Sequence, residues 1–454
     1  MTTIFVYNTL TRSVEPIVTA IPNTVRMFVC GPTVYDFAHL GHAKTYTQFD
    51  FIARYLRFRG YQVTYLQNIT DVDDKIIRRA AERGIPSNVL AEEYERYYRE
   101  DMMALHNTSV DIYARAHDYM DGIVSQVERL IDRGYAYQTS DGYYFDTKCF
   151  SDYGKLSRRS EVLPEDAVSR IDENPEKHNP GDFCLWKLQK PGEPFWETKL
   201  GSGRPGWHIE DTAITEHHFG PQYDIHGGAI DLIFPHHEAE IAQMEAASGL
   251  KPLVRYWLHT GFLNTKSQKM SKSLGNFVTI RDLLKELNYR VLRFYFLSHH
   301  YRNSMELGPE MLEQARSSLE RIDIFVGTVR PDVDDVENEE IVREFRDKFF
   351  ARLDQDFDTP VALSYLYEFI KDQNRRNQPG KRVYELLQNI NAIFDFISFE
   401  HELLDEEIER QIVLRSELRS QKRFAEADAV RDRLVSQGII LEDGGNGVRW
   451  RRRL

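Results

Sequence analysis

Cysteine is nearly missing from this sequence: Cys30, Cys149 and Cys184 are the only three in 454 residues. Three scattered cysteines cannot build a disulfide framework, and a reducing cytoplasm is the expected location. No run of about 18 apolar residues occurs, so no membrane span is expected. The opening stretch from Met1 to Asn8 lacks a basic segment followed by an apolar one, and no secretory signal is expected there. Positive charge is short as well. The formal net charge is −13, which argues against a surface that binds nucleic acid over its whole extent. There is no internal repeat and no low-complexity tract, and nothing implies an obligatory protein partner.

What is present fits a folded protein: 41% of residues are hydrophobic and 12% aromatic. A chain of 454 residues is too long for one compact core, so several domains are expected. Charge is uneven. Residues 411–454 hold 10 Lys and Arg against 6 Asp and Glu and end in Arg451-Arg452-Arg453. Such an end can grip RNA locally, and it is also what a solvated helix with a frayed tail looks like.

Val25 to Cys30 alternates apolar and polar side chains and predicts a strand. Gly31-Pro32-Thr33 follows as a loop. From His42 to Arg59, Phe49, Ile52, Ala53 and Leu56 recur at helical spacing, with Gly60 as the C-terminal cap. Tyr61 to Ile69 predicts a second strand. Strand, helix and strand in succession make a parallel βαβ unit. Ligands of such sheets bind beyond the carboxyl ends of strands, where the segment from Gly31 to His42 lies. The region from about 120 to 205 breaks the rhythm with a short strand at Tyr143-Tyr144-Phe145 and turns at Asn174-Pro175 and Asn179-Pro180-Gly181, and predicts an insertion. Alternation resumes with a strand at Tyr223-Asp224-Ile225-His226, a helix from about His236 to Ser248 and a strand near Tyr256 to Leu258. From Thr279 to about residue 398 the pattern is almost wholly helical. The last segment predicts two helices and a strand at Ile439-Ile440-Leu441 beside a glycine-rich turn. The expected fold class is α/β: a Rossmann-like parallel-sheet catalytic domain over 1–305, an α-helical domain over 306–400 and a small C-terminal domain over 401–454.

Three groups of residues carry chemistry. His39-Leu40-Gly41-His42 stands where the first helix opens. A helix start offers free N–H groups and a positive dipole end to phosphate, Gly41 lets a flat ring approach the backbone, and two imidazoles can donate to a phosphate as its charge grows. Alone, the tetrapeptide also fits two surface histidines. Lys269-Met270-Ser271-Lys272-Ser273, followed by Gly275-Asn276, puts two lysines and two hydroxyls in one short segment. That composition suits a mobile loop over a triphosphate, with lysine stabilising the leaving pyrophosphate, or a merely solvated basic loop. The third group resembles a metal site. His236 and Glu240 share a helix face, Cys30 ends the first strand, and Asp211 follows Trp207-His208-Ile209-Glu210. Nitrogen, sulfur and carboxylate donors together suit zinc. Only the His–Glu pair is local, and His237 and Glu238 are rival ligands by chemistry.

The first two motifs, in this order, resemble the paired signatures of the class I aminoacyl-tRNA synthetase family. Longer blocks resemble its cysteine-specific branch: Cys30-Gly31-Pro32-Thr33-Val34-Tyr35-Asp36, Asn68-Ile69-Thr70-Asp71-Val72-Asp73-Asp74-Lys75, Gly203-Arg204-Pro205-Gly206-Trp207-His208-Ile209-Glu210, Phe234-Pro235-His236-His237-Glu238 and the ending Leu441-Glu442-Asp443-Gly444. The resemblance implies ATP with Mg²⁺, L-cysteine and its tRNA as substrates, and one zinc per chain at the base of the amino-acid pocket. It assigns His39 and His42 (with Gly41) to ATP, and Lys269 and Lys272 to the leaving pyrophosphate. Thr70, Trp207, His226 and Asp231 fall at pocket positions. Of the zinc ligands, two cysteines, a histidine and a glutamate in the family, three match as Cys30, His236 and Glu240. The second cysteine falls on Asp211, an anion for an anion but a harder ligand; His208 and His237 are the neighbouring substitutes. Two rival readings share these residues: a cysteine ligase acting on an amino-sugar acceptor, which needs no anticodon-reading domain, and a non-catalytic RNA-binding paralogue, which needs none of the four phosphate-handling side chains.

Overall fold

The computed structural model describes residues 2–159, 174–265, 268–269, 278–376, 379–399, 406–436, 439–444 and 447–452. A short antiparallel pair, β1 (Phe5–Asn8) and β2 (Ser13–Pro16), precedes the first parallel strand, β3 (Thr24–Val29). In β3 the burial alternates through Val25 and Met27, then becomes continuous at Phe28 and Val29, as expected of a strand covered on both faces. Helix α1 (Leu40–Phe58) follows, and Gly60, at φ 92°, turns the chain into β4 (Gln62–Ile69). Strand β4 pairs parallel to β3 from Thr24↔Gln62 to Val29↔Gln67. Helices α2 (Asp74–Arg83) and α3 (Ser87–Ala104) cross to β5 (Ile112–Arg115).

Helix α4 (Met120–Asp132) leads into the expected insertion. It is a four-stranded antiparallel sheet of β6 (Ala136–Gln138), β7 (Gly142–Phe145), β8 (Phe183–Leu188) and β9 (Gly203–Pro205). Helix α5 (Ile209–Phe219) then returns the chain to the parallel sheet through β10 (Tyr223–Ala229), α6 (Glu238–Ser248) and β11 (Val254–Thr260). The five parallel strands lie in the order β11-β10-β3-β4-β5. Strand β3 therefore has its chain successor β4 on one side and the late-arriving β10 on the other. The order reverses there, so a crevice opens at the carboxyl ends of β3 and β10.

Beyond β11 the chain forms β12 (Leu263–Thr265), the two residues of β13 (Gln268–Lys269), α7 (Ile280–Leu284) and α8 (Tyr289–Leu297). Strand β14 (Met305–Leu307) pairs parallel with β12 and spans the boundary expected at 305/306. Helices α9 (Pro309–Val326), α10 (Glu339–Leu353), α11 (Thr359–Arg376) and α12 (Lys381–Phe394) follow. One core joins them to the parallel sheet, running from Val25, Met27 and Phe49 to Leu386, Ile390 and Ile397. A separate small core of Leu418, Ala427, Val430, Leu434 and Ile439 ties α13 (Glu406–Ser420) and α14 (Phe424–Ser436) to β15 (Ile439–Gly444), which pairs with β16 (Gly447–Arg452). No disulfide joins Cys30, Cys149 and Cys184. Among the described residues no helix is long and apolar enough to cross a membrane.

The helical region grips α1 through a buried ion pair. Arg293 on α8 donates to Asp50 on α1 at 2.8 Å, and both side chains are buried. The same guanidinium reaches the carbonyls of Phe394 and Leu105 and the Asn107 side chain. Burial alone raises the Asp50 carboxyl, but Arg293 and Arg54 outweigh it and hold the carboxyl below its usual range. Removing one partner strands the other charge in the core, which costs far more than the pair contributes. Arg293→Met is therefore expected to lower stability by about 3–5 kcal/mol, read as a falling urea midpoint at unchanged m-value. A loss below about 1 kcal/mol would class the pair with surface ion pairs.

Candidate active site and metal centre

The first helix opens in the crevice. His39 is its N-cap, and the cap is reciprocal: the His39 ring accepts from the His42 N–H at 3.3 Å, while the His39 N–H donates to His42 Nδ1 at 3.4 Å. The two rings stack at 3.8 Å. A Cβ on Gly41 would lie 2.8 Å from the His39 ring, so only glycine fits between them. The flat ring that approaches Gly41 here is thus that of His39 itself. The helix begins at Leu40 rather than at the expected His42 because this imidazole pair does the work usually done by a serine and a glutamate. After the lysine-rich motif the chain comes back to the same place: Leu40 N–H donates to Val278, and Ile280 N–H donates to Ala38. Lys269 sits opposite Asn264 in the β12–β13 pair. Lys272 lies outside the described residues.

The metal-site candidates converge next to this helix. Cys30 follows β3, and its carbonyl accepts from the Tyr46 hydroxyl of α1 at 3.3 Å. Asp211 lies in the first turn of α5. His236 lies in a distorted turn, Ile233–His237, where extended backbone at Phe234 delays the expected helix until Glu238. Glu240 follows in the first turn of α6. His236 Nε2 faces three donors at once: Asp211 Oδ2 at 3.0 Å, Glu240 Oε1 at 3.1 Å and Cys30 Sγ at 3.6 Å. Asp211, His236 and Glu240 are within 1% of fully buried and Cys30 is 5% exposed. The other ring atom, His236 Nδ1, meets His208 Nδ1 at 2.7 Å. With the proton on His236 Nδ1 and donated to His208, Nε2 presents a bare lone pair to the three acids.

A network behind Asp211 orients it. Asn68, near the end of β4, donates to Asp211 Oδ1 at 2.6 Å and accepts from the Gly31 N–H at 2.5 Å. Its amide also reaches Thr70 Oγ1 at 3.3 Å, and the Thr70 hydroxyl donates to Glu210. Glu210 is fully buried too. Burial, followed by the charge of Asp211, pushes the Cys30 thiol and the carboxyls of Glu210 and Glu240 well above their ordinary ranges. Four acidic groups crowded out of water are unfavourable by themselves. A divalent cation among them removes that penalty and takes sulfur, nitrogen and oxygen donors together. The donor set fits zinc.

Of the remaining expected residues, Trp207 and His226 pack against this cluster. The Trp207 ring stacks on His236 at 4.2 Å. His226, on β10, stacks on Trp257 at 4.2 Å, bonds the Tyr223 hydroxyl at 2.7 Å and lies 3.5 Å from Glu240 Oε2. Asp231, in the turn after β10, is partly exposed, and its charge acts on His259. Of the two rival ligands, Glu238 is turned away, while His237 forms with His226 and Glu240 a second group of side chains close enough to share a cation. Glu238 accepts from the backbone N–H groups of Leu156 and Ser157 at 3.1 and 2.8 Å. His237 bonds His259 at 2.8 Å, and burial pulls His226 and His237 well below the ordinary histidine range. Asn68, Glu210, Tyr223, Trp257 and His259 had no role in the sequence reading. Asn68 had a usable signal: a polar side chain at the carboxyl end of a parallel strand, the same reasoning that singled out Cys30.

A family model described as "tRNA synthetases class I (C) catalytic domain" matches residues 16–317. The chain is 44% identical to a cysteine–tRNA ligase of Anoxybacillus flavithermus, covering 98% of this chain and 99% of that protein. It is 45% identical to a cysteine–tRNA ligase of Thermoplasma acidophilum, with the same coverage. Among solved structures it resembles Mycobacterium tuberculosis methionyl-tRNA synthetase in complex with methionyl-adenylate, at TM-score 0.61 and 16% identity over 82% of this chain and 88% of that one, a likeness of fold alone. With matched sequence along nearly its whole length, the chain belongs to the cysteine–tRNA ligase family of class I synthetases.

Proposed function

We propose that this chain joins L-cysteine to its tRNA in two steps within the crevice of β3 and β10. In the first, the cysteine carboxylate attacks the α-phosphate of ATP, the bond to the β-phosphate breaks, and cysteinyl-adenylate and pyrophosphate form. In the second, a ribose hydroxyl of the terminal tRNA adenosine attacks the adenylate carbonyl and AMP leaves. The family uses ATP with Mg²⁺. The observation that carries the amino-acid specificity is the convergence of Cys30, Asp211 and Glu240 on His236 Nε2.

In this reading Cys30, Asp211, His236 and Glu240 hold one zinc. The metal supplies a preference for thiolate over alcohol, which separates cysteine from serine where shape alone discriminates poorly. Asn68 keeps Asp211 Oδ1 engaged and leaves Oδ2 turned inward. Thr70, Trp207, His226 and Asp231 form the walls of the amino-acid pocket. His39 and His42, with the first N–H groups of α1, hold phosphate oxygens. Lys269 and Lys272 stabilise the departing pyrophosphate, whose charge develops in the transition state. The helices over 306–400 and the basic unit over 401–454 meet the tRNA, the latter at its anticodon end. The reaction runs in the cytoplasm.

Cysteine-dependent ATP–pyrophosphate exchange together with charging of tRNA tests the reading; exchange without charging excludes the tRNA step, and neither activity excludes the reaction. Lys272→Ala is expected to slow adenylate formation by about 10²-fold or more with cysteine binding little changed, measured by rapid quench. An unchanged adenylation rate removes Lys272 from its role. Metal analysis of protein purified without chelator is expected to give one zinc per chain. Asp211→Ala and Asn68→Ala should lower zinc retention against a competing chelator, whereas Asp211→Cys should keep it. Unchanged retention in Asp211→Ala means that another side chain supplies the fourth ligand.

A further inference from the structure

Lys44, two residues beyond His42 on α1, is 1% exposed. Its ammonium donates to the Gly261 carbonyl and, at 3.2 Å, to the Asn303 carbonyl. These carbonyls hold matching places. Gly261 lies two residues before Leu263 and Asn303 two before Met305, and Leu263↔Met305 is the first pair of the β12–β14 ladder. Lys44 thus spans the fork where both strands begin. Nearby contacts fix the fork further. Thr45 and Thr260 share a hydrogen bond of 2.9 Å, and Gly261 N–H donates to Tyr301 at 2.9 Å. A Cβ on Gly261 would lie 2.4 Å from the Asn303 backbone, so the two chains meet at glycine distance.

Strand β12 continues into β13 and Lys269, where the lysine-rich motif begins. Beyond that motif the chain is again held by α1: His39 forms a β-bridge with Thr279, and Ala38 and Leu40 bond Ile280 and Val278. The helix that presents His39 and His42 therefore holds the segment carrying Lys269 and Lys272 on both of its flanks.

The geometry points to Lys44 as a positioning residue for adenylate formation: it sets the β12–β14 fork against the phosphate-binding helix, so that the lysine-rich segment starts from a fixed place relative to His39 and His42. Stability alone does not favour a lysine here. Burial pulls its ammonium down to about 7, and an apolar side chain of similar volume is cheaper to bury. A buried amine with three donors, however, can bridge two carbonyls on different chain segments, which an apolar side chain cannot. Displacing a catalytic group by about 1 Å costs on the order of 10²-fold in rate.

This inference rests on the proposed adenylation. Its test uses the full chain with zinc bound and compares Lys44→Met and Lys44→Arg with the parent. Single-turnover adenylate formation is read beside the cysteine dissociation constant, zinc content and thermal midpoint. Lys44→Met is expected to slow adenylate formation by about tenfold or more, with cysteine affinity within about twofold of the parent. Lys44→Arg, which can still reach both carbonyls, should restore most of the rate. An unchanged rate in Lys44→Met, or a parallel loss of rate and cysteine affinity, overturns the inference. If Lys44→Met does not fold, Thr45→Val decides at equal volume: slowed adenylation at unchanged cysteine affinity supports the role, and an unchanged rate overturns it. A parent protein that forms no adenylate at all fails the functional reading instead, and so the two failures are distinguishable.

Discussion

Four acidic groups are buried together, three of them around one imidazole nitrogen, and much of the site's architecture follows from that. Cys30, Glu210, Asp211 and Glu240 come from the end of a strand, the start of α5 and the start of α6. A folded chain holds such a cluster out of water only if something offsets the repulsion and the lost hydration. Hydrogen bonds do part of this: Asn68 takes one oxygen of Asp211, and Thr70 takes one of Glu210. A cation bound at His236 Nε2 would do the rest. In the proposed reading, the same cluster that is costly to bury is what would hold a zinc able to select a thiolate.

The topology explains why these groups can meet. Strand β3 lies between β4 and β10. Cys30 and Asn68 therefore arrive from adjacent parallel strands, while the return from the antiparallel insertion delivers Asp211, and the turn after β10 delivers His236 and Glu240. Helix α1 links this centre to the His39–His42 pair. Tyr46 bonds the Cys30 carbonyl, while His39 and His42 cap the helix start a turn or two earlier. In the proposed reaction one rigid element would serve both the amino-acid and the nucleotide ends of the crevice, which suits a step that needs the carboxylate and the α-phosphate in line.

The sequence made the βαβ start, the insertion and the helical run legible because hydrophobic period reports them directly. It missed by two residues at each functional helix start, for local reasons. His39 and His42 cap each other, which ordinary capping residues do not foreshadow, and extended backbone at Phe234 delays α6. The 305/306 boundary fell inside β14 because a three-residue strand leaves almost no periodic signal. For the site, the spacing of His236 and Glu240 was readable from helix geometry alone. Cys30 and Asp211 were candidates by donor chemistry and, for Cys30, by its place at a strand end, but joining them to that pair rested on resemblance, since their meeting is a matter of tertiary structure. Asn68 was quoted within a motif and given no part, because nothing in the sequence shows that its amide lies against Asp211. Roles for Lys269 and Lys272 rest on the motif, as the Lys272 side chain lies outside the described residues.

An aspartate ligand at Asp211 in place of a cysteine would give the metal account a distinct spectroscopic signature. X-ray absorption at the zinc edge, taken with and without L-cysteine, tests it most directly. The account predicts one sulfur neighbour in the free protein, from Cys30, and a second only when cysteine is added, with serine producing no change. Two sulfur neighbours before cysteine is added, or no new sulfur after, would contradict it.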